Sequence, residues 1–295
     1  MKSICLFSSY FNQDKIPYYI KYYLEELKNH FTEIIFITNQ KILADTEEKY
    51  LKKLDINLLM VTNEGFDFGM WYNAMGKYDL LKYDRVGLVN DSCILFKEFN
   101  SVFDFINKSG LDYCGLVDSH EKSYHLQSYF VVINKNAIGP VNDYFTKHGI
   151  IKKINSVIDI YEIGLSSYLL SIGVKIGAVF SLKNDDNNNP AFYRIEELLQ
   201  LGIPVIKKKI LKRNTMGFQK KRFIEKSFNP NPYFYIRKIK SLNKHNLPKV
   251  DYDKLFNDTL SEVSKKGYLL YFVQYIQYYF YTFIYAKLFA NEKQP

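Results

Sequence analysis

Hydrophobic positions along this chain fall into short, β-branched runs separated by longer stretches in which apolar residues recur every three or four positions. Residues 3–9, 33–38 and 56–61 read as strands. Between them, residues 17–31 and 41–54 read as helices, the first marked by Pro17 and carrying Tyr18, Tyr22, Leu24 and Leu27 on its apolar face. Strand and helix in alternation imply parallel βαβ units. The pattern continues with a helix over 70–81, a strand over 85–89 and a helix over 101–108 that Ser101 is placed to cap. It then changes: 113–117 and 128–133 are strand-like runs on either side of a polar stretch, and a further helix begins near Asn136. Residues 161–172 form an amphipathic helix closed by Gly173, a strand covers 174–180, an Asn- and Asp-rich loop runs to Pro190, and 192–202 is helical again. The fold class is therefore α/β, a mixed and mostly parallel Rossmann-type sheet flanked by helices.

After Pro204 the composition turns basic and proline-punctuated, which sets a boundary near residue 205 between a domain over 1–205 and a helical region over 206–295. The net charge of +9 belongs to that region: residues 207–244 hold thirteen Lys or Arg against one acid, Glu225. Charge of this kind attracts nucleic acid or an anionic membrane surface equally well. Residues 267–286 carry no charge, and Leu269, Val273, Ile276, Phe280 and Phe283 trace one apolar helix stripe diluted by tyrosines. Such a stripe suits a membrane interface, a second copy of the chain in a homo-oligomer, or the protein's own core. Aromatic residues do interleave with the lysines, yet no nucleic-acid module is present, so nucleic acid is the disfavoured partner. Cys5, Cys93 and Cys114 lie in or beside apolar runs without zinc-site spacing and read as reduced thiols. With no secretion signal at the start, they point to a protein of the cytoplasm.

The chemistry concentrates where strands end. The run RVGLVNDSCILF delivers Asn90 and Asp91 to the tip of a buried strand, where open α/β sheets bind ligands. Asp91 there is suited to hold a divalent cation, Mg or Mn, or to contact a donor directly; an Asn-Asp-Ser turn is the structural alternative. A second aspartate two residues away is absent, so donor binding is better founded than metal binding. Upstream, NEGFDFGMWYNA combines two glycines that allow close backbone approach to a ligand with Asp67, which suits a ribose or sugar hydroxyl. An ordinary turn reads the same way, and the spacing is not that of a dinucleotide site. Glu162, opening an apolar helix, is placed either as a general base or as a favourable acid in a first helical turn. His125 and Gln127 precede a strand and are candidates for the acceptor side, whereas His148 reads as a surface residue.

Taken in order, YDRVGLVNDSCILF, HLQSYFVVINKNAI, EIGLSSYLLSIGVKIGAVF and NPAFYRIEELLQLGIPVIKKKILKRN resemble successive blocks of the rhamnan synthesis F family of bacterial surface-polysaccharide glycosyltransferases, over residues 60–214. The resemblance implies a GT-A type fold and transfer of a sugar, typically L-rhamnose from dTDP-L-rhamnose, to a glycan or lipid-linked glycan acceptor in capsule or O-antigen synthesis. Asn63, Gly65 and Asn73 also resemble the Asn-x-Gly…Asn turn of inverting GT-A enzymes. By position, the resemblance makes Asn90 and Asp91 the donor-diphosphate or metal motif, Asp67 the acid of the family's turn and Glu162 the base; Ser8, Asn63 and Gly65 are the further donor-side candidates, and Asp91 is a catalytic candidate with Glu162. Phe66 stands where the family's turn has arginine, which opens the donor identity and keeps a non-catalytic nucleotide-sugar or glycan-binding module of the same fold as the competing reading.

Overall fold

The computed structural model of the chain describes residues 1–39, 41–62, 64–182, 189–212, 232–243 and 250–261. Asn63 and the 267–286 stripe lie outside the described residues. Ten strands are formed among them: β1 (Ser3–Ser9), β2 (Glu33–Thr38), β3 (Asn57–Met60), β4 (Arg85–Asn90), β5 (Cys93–Leu95), β6 (Tyr113–Ser119), β7 (His125–Leu126), β8 (Phe130–Asn134), β9 (Ile176–Phe180) and β10 (Val205–Lys207). The main sheet runs β3-β2-β1-β4-β8-β6-β7, with β9 added alongside β6, while β5 and β10 form a separate antiparallel pair. Strands β3, β2, β1 and β4 are mutually parallel. β8 runs antiparallel to both β4 and β6, and β9 is parallel to β6. This is the mixed, mostly parallel sheet the alternating pattern implies.

The helices are α1 (Tyr18–Leu27), α2 (Asp45–Lys53), α3 (Phe66–Met75), α4 (Asn100–Ser109), α5 (Lys135–His148), α6 (Ile154–Val157), α7 (Leu165–Ser171), α8 (Pro190–Tyr193), α9 (Ile195–Gln200), α10 (Lys208–Lys212), α11 (Pro232–Leu242) and α12 (Tyr252–Ser261). They cover both sheet faces. Along β1 the side chains alternate: Cys5 and Phe7 join one core layer with Tyr23, Phe99 and Phe130, whereas Ile4 and Leu6 join the other with Trp71, Phe145 and Tyr161. A sheet buried on both faces demands a continuous apolar run, which is why β1 reads so plainly in the sequence. Ile210, Leu211, Tyr235, Ile239, Leu255 and Phe256, all beyond residue 205, belong to the first of these layers.

Several elements differ from the sequence expectation. The helix expected over 70–81 begins at Phe66, because Gly65 takes a left-handed conformation and starts it; it ends at Met75, and a separate 3-10 turn spans Leu80–Lys82. Ser101 caps nothing: Phe99 is the N-cap of α4, and its N–H donates instead to Glu26 Oε1 at 2.8 Å. Glu162 does not open a helix. It lies inside a π-helical segment, Ile158–Gly164, that joins α6 to α7 in one helical run. His148 is half-buried, its ring 4.3 Å from that of Tyr144.

Candidate active site

The carboxyl ends of β1 and β4 and the start of β8 meet at one edge of the sheet. Ser8 pairs with Asn90 across the β1–β4 ladder, the Asn90 N–H donates to the Tyr129 carbonyl at 3.1 Å, and the Asp91 N–H donates to the Ser8 carbonyl at 3.1 Å. Helix α3 leads Asp67 to the same place, anchored beneath β1 by the Trp71 indole N–H on the Leu6 carbonyl at 3.1 Å. The Ser8 hydroxyl donates to Asp67 Oδ1 at 3.3 Å and the Asn90 amide to Asp67 Oδ2 at 2.9 Å. Ser8, Asp67 and Asn90 therefore form one connected set, drawn from three segments far apart in the chain.

The glycines of the turn serve the protein's own backbone. A Cβ at Gly69 would sit 1.8 Å from the Glu64 carbonyl oxygen, and one at Gly65, whose φ is +78°, would meet Ile150 Cγ2 at 2.8 Å. The close approach expected there is thus helix against turn. Asn73 likewise bonds within α3, its amide donating to the Gly69 carbonyl at 2.9 Å. Phe66, also left-handed at φ +58°, is 41% exposed and adjoins Asp67 in the chain. For an aromatic residue that conformation is strained, and strain of this kind gathers at functional sites.

Asp91 faces a different group. Its Oδ2 accepts from the Ser9 hydroxyl at 3.1 Å, the Tyr19 hydroxyl at 3.2 Å and Lys208 Nζ at 2.9 Å. Lys208 was legible only as one residue of a basic block. It reaches the site because β10 pairs with β5, placing Lys207 opposite Cys93 and the Lys208 N–H on the Ser92 carbonyl at 2.9 Å. A three-residue strand leaves no periodic signal, so nothing in the sequence pointed to this lysine.

Glu162 approaches from the opposite core layer. Its Oε1 accepts from the Ser128 hydroxyl, one residue before Tyr129, and its carbonyl accepts from the Ser166 hydroxyl at 2.9 Å. A π segment turns a side chain away from the register of an ordinary helix, and such segments recur at functional sites. Burial pushes the Asp67 carboxyl up to about 7, and the charges of Asp91 and Glu162 act in the same direction against the Ser8 hydrogen bond and the Lys208 charge. Asp67 therefore feels both Asp91 and Glu162.

His125 and Gln127 are 3% and 2% exposed, and their polar atoms are engaged. His125 Nδ1 lies 2.8 Å from the Ser123 carbonyl, while Gln127 Oε1 accepts from Asn189 at 2.8 Å and from Lys207 Nζ at 3.3 Å. Both brace the edge from inside; neither lines an open acceptor surface, because a buried polar side chain is held by its partners. Among the described residues, no three His, Cys, Asp or Glu side chains gather closely enough to hold a metal ion. With Asp91 Oδ2 already accepting three donors and Asp67 engaged at both oxygens, the donor set fits a divalent cation poorly.

The chain is 23% identical to virulence protein VirA of Vibrio anguillarum, in an alignment that covers 74% of this chain and 82% of that one. Among solved structures, one described as a nucleotide-diphospho-sugar transferase, from Desulfovibrio desulfuricans G20, superimposes with a TM-score of 0.39 at 16% identity, covering 83% of this chain and 98% of that one. The glycosyltransferase GlyE of Streptococcus pneumoniae TIGR4 gives a TM-score of 0.39 at 13% identity over 88% of this chain and 64% of that one. The sequence model of rhamnan synthesis protein F matches residues 34–283, most of the chain, and the protein belongs to that family.

Proposed function

We propose that this protein is a glycosyltransferase that moves a sugar from a nucleotide-sugar donor to a growing cell-surface glycan, with L-rhamnose of dTDP-L-rhamnose the sugar to test first. Family membership supports the reaction class. One observation carries the site: Ser8, Asp67 and Asn90 are hydrogen-bonded to one another at the carboxyl ends of parallel strands, beside Asp91 and within electrostatic reach of Glu162. That edge is where open α/β sheets take their ligands.

In this reading Ser8, Gly65, Asp67, Asn90 and Asp91 form the donor side, together with Asn63. Glu162 removes the proton of the acceptor hydroxyl; the Ser128 hydroxyl on Oε1 leaves the other carboxylate oxygen to receive it. The acceptor oxygen bonds to the anomeric carbon as the bond from that carbon to the diphosphate oxygen breaks, the electron pair leaving with the nucleoside diphosphate. With a β-linked donor and an α-linked product the centre inverts in a single displacement, and one base is sufficient. Among the described residues no helix is long and apolar enough to cross a membrane. The basic and aromatic region over 206–295 is proposed as the contact with an anionic membrane surface or a second subunit, where a lipid-linked acceptor would be met.

A thermal-shift and calorimetry panel of dTDP-, UDP- and GDP-sugars, with and without Mn, tests the donor half. Selective stabilisation by one nucleotide sugar is expected. If none binds, even with a glycan acceptor present, the transferase reading falls.

A further inference from the structure

The carboxyl groups of Asp67, Asp91 and Glu162 lie about this edge, and a nucleotide-sugar diphosphate brought there would be repelled by those that are ionised. Something cationic must offset that charge. The described structure offers two consecutive lysines, Lys207 and Lys208, at the junction of β10 and α10. We propose that Lys207 and Lys208 form a cationic clamp for the donor's diphosphate, supplying from the chain the charge that a divalent cation would otherwise bring. This rests on the transferase reading above.

The backbone fixes both lysines against the strand tip. Lys207 sits in register with Cys93, two residues after Asp91, and the Lys208 N–H holds the Ser92 carbonyl. Consecutive side chains diverge, so the two ammonium groups come to rest on different partners. Lys208 Nζ contacts Asp91 Oδ2 and the Tyr19 hydroxyl, each at 2.9 Å. Lys207 Nζ contacts Gln127 Oε1 and lies over the rings of Tyr129, at 4.9 Å, and Phe192, at 4.8 Å. An ammonium has three protons to give, and these contacts leave at least one N–H on Lys208 and two on Lys207 for phosphate oxygens. Tyr129 is also the residue whose carbonyl holds Asn90, which ties the Lys207 seat to the donor side.

Holding a fold together does not by itself call for such an arrangement. The Lys208–Asp91 pair is largely buried, with side chains 14% and 9% exposed, and pairs of this kind often stabilise no better than apolar residues of similar size. A preorganised ammonium beside a site of developing negative charge does have a use. As the bond from the anomeric carbon to the diphosphate oxygen breaks, the electron pair and its charge go to that oxygen, and cations fixed beforehand stabilise it without reorganising.

Calorimetric titration of the full chain with inorganic pyrophosphate and with dTDP, UDP and GDP, in EDTA and at several salt concentrations, tests the clamp. Wild type is expected to bind a diphosphate in EDTA with salt-sensitive affinity. Lys208→Met and Lys207→Met should each weaken it at least ~10-fold, and Lys208→Arg should retain most of the affinity with a melting temperature close to wild type. Should Lys208→Met fail to fold, Lys207→Gln, which leaves the Lys208–Asp91 ion pair intact, gives the same reading. Diphosphate affinity unchanged in the Met variants, or lost in EDTA and regained with Mn, would overturn the clamp while leaving the transferase assignment intact. Failure of wild type to bind any diphosphate under either condition would overturn both.

Discussion

The ring of Phe68 stacks on that of Tyr161, centroids 4.9 Å apart and planes 12° from parallel. Each ring has a carboxylate as its chain neighbour, Asp67 on one side and Glu162 on the other. This aromatic contact joins α3 to the π segment beside both the donor-side acid and the proposed base. Phe68→Leu keeps the site apolar but removes the stack, at an expected loss of about 1 kcal/mol of stability. The effect on turnover should be larger than on donor affinity, because it is the base that moves. Urea denaturation with steady-state kinetics checks this; a donor Kd that changes as much as kcat would argue that Phe68 supports the donor side alone.

Glu162→Gln keeps the shape of the side chain and its bond from Ser128 but cannot take a proton. We expect kcat to fall by about 10²-fold or more with the donor Kd nearly unchanged. Ser128→Ala should cost far less, since it removes only an orienting hydroxyl. A Glu162→Gln enzyme that retains most of its kcat would remove Glu162 from the mechanism.

Much of this arrangement was legible in the residues, and the gaps have physical causes. Long buried strands such as β1, β2 and β4 declare themselves because both faces are covered, and Asn90 and Asp91, at the end of β4, stand out against the apolar run. Asp67 was found through its turn, although the turn's glycines prove to relieve contact with the protein's own backbone. The register of Glu162 was not legible, since a π segment shifts side chains without altering the apolar spacing on either side. Lys207 and Lys208 were hidden for a different reason: their role depends on β10 pairing with β5, a contact between segments more than a hundred residues apart in the chain. Local charge made them look like part of a surface patch.

Gly69, within α3, and Gly76, at its C-terminal end, should respond in opposite ways to alanine. At Gly69 the new Cβ would lie 1.8 Å from the Glu64 carbonyl oxygen, a backbone atom that cannot step aside without moving the turn that carries Asp67. At Gly76, which is exposed with φ −68°, a new Cβ would meet only the Asn73 carbonyl oxygen at 3.6 Å and the Tyr72 carbonyl oxygen at 3.8 Å, both ordinary contacts. Gly69→Ala is expected to destabilise by about 1–3 kcal/mol and to weaken donor binding. Gly76→Ala should stabilise by about 0.4–1 kcal/mol by restricting the unfolded chain. Equal effects in denaturant titrations would mean that α3 can shift away from its turn freely.

The Asp67 carboxyl also makes stability depend on pH in a predictable direction. In the folded protein it keeps its proton up to about 7, because burial and the neighbouring Asp91 disfavour the charge, against an ordinary value of 3.8. Between those two values the folded state binds more protons than the unfolded state, so stability declines as pH rises. The contribution is complete below the unfolded value and is lost as pH passes through about 7. Asp67→Asn removes this titration and can keep both contacts, its carbonyl accepting from Asn90 and its amide donating to the Ser8 hydroxyl. The variant should therefore gain on wild type as pH rises. Allowing for the partial exposure of Asp67, we expect an advantage of ~1 kcal/mol at pH ~8, about 2–4 °C in Tm, that fades toward pH ~4. Melting curves of both proteins across that range provide the check, and a constant difference at every pH would show that Asp67 does not titrate there.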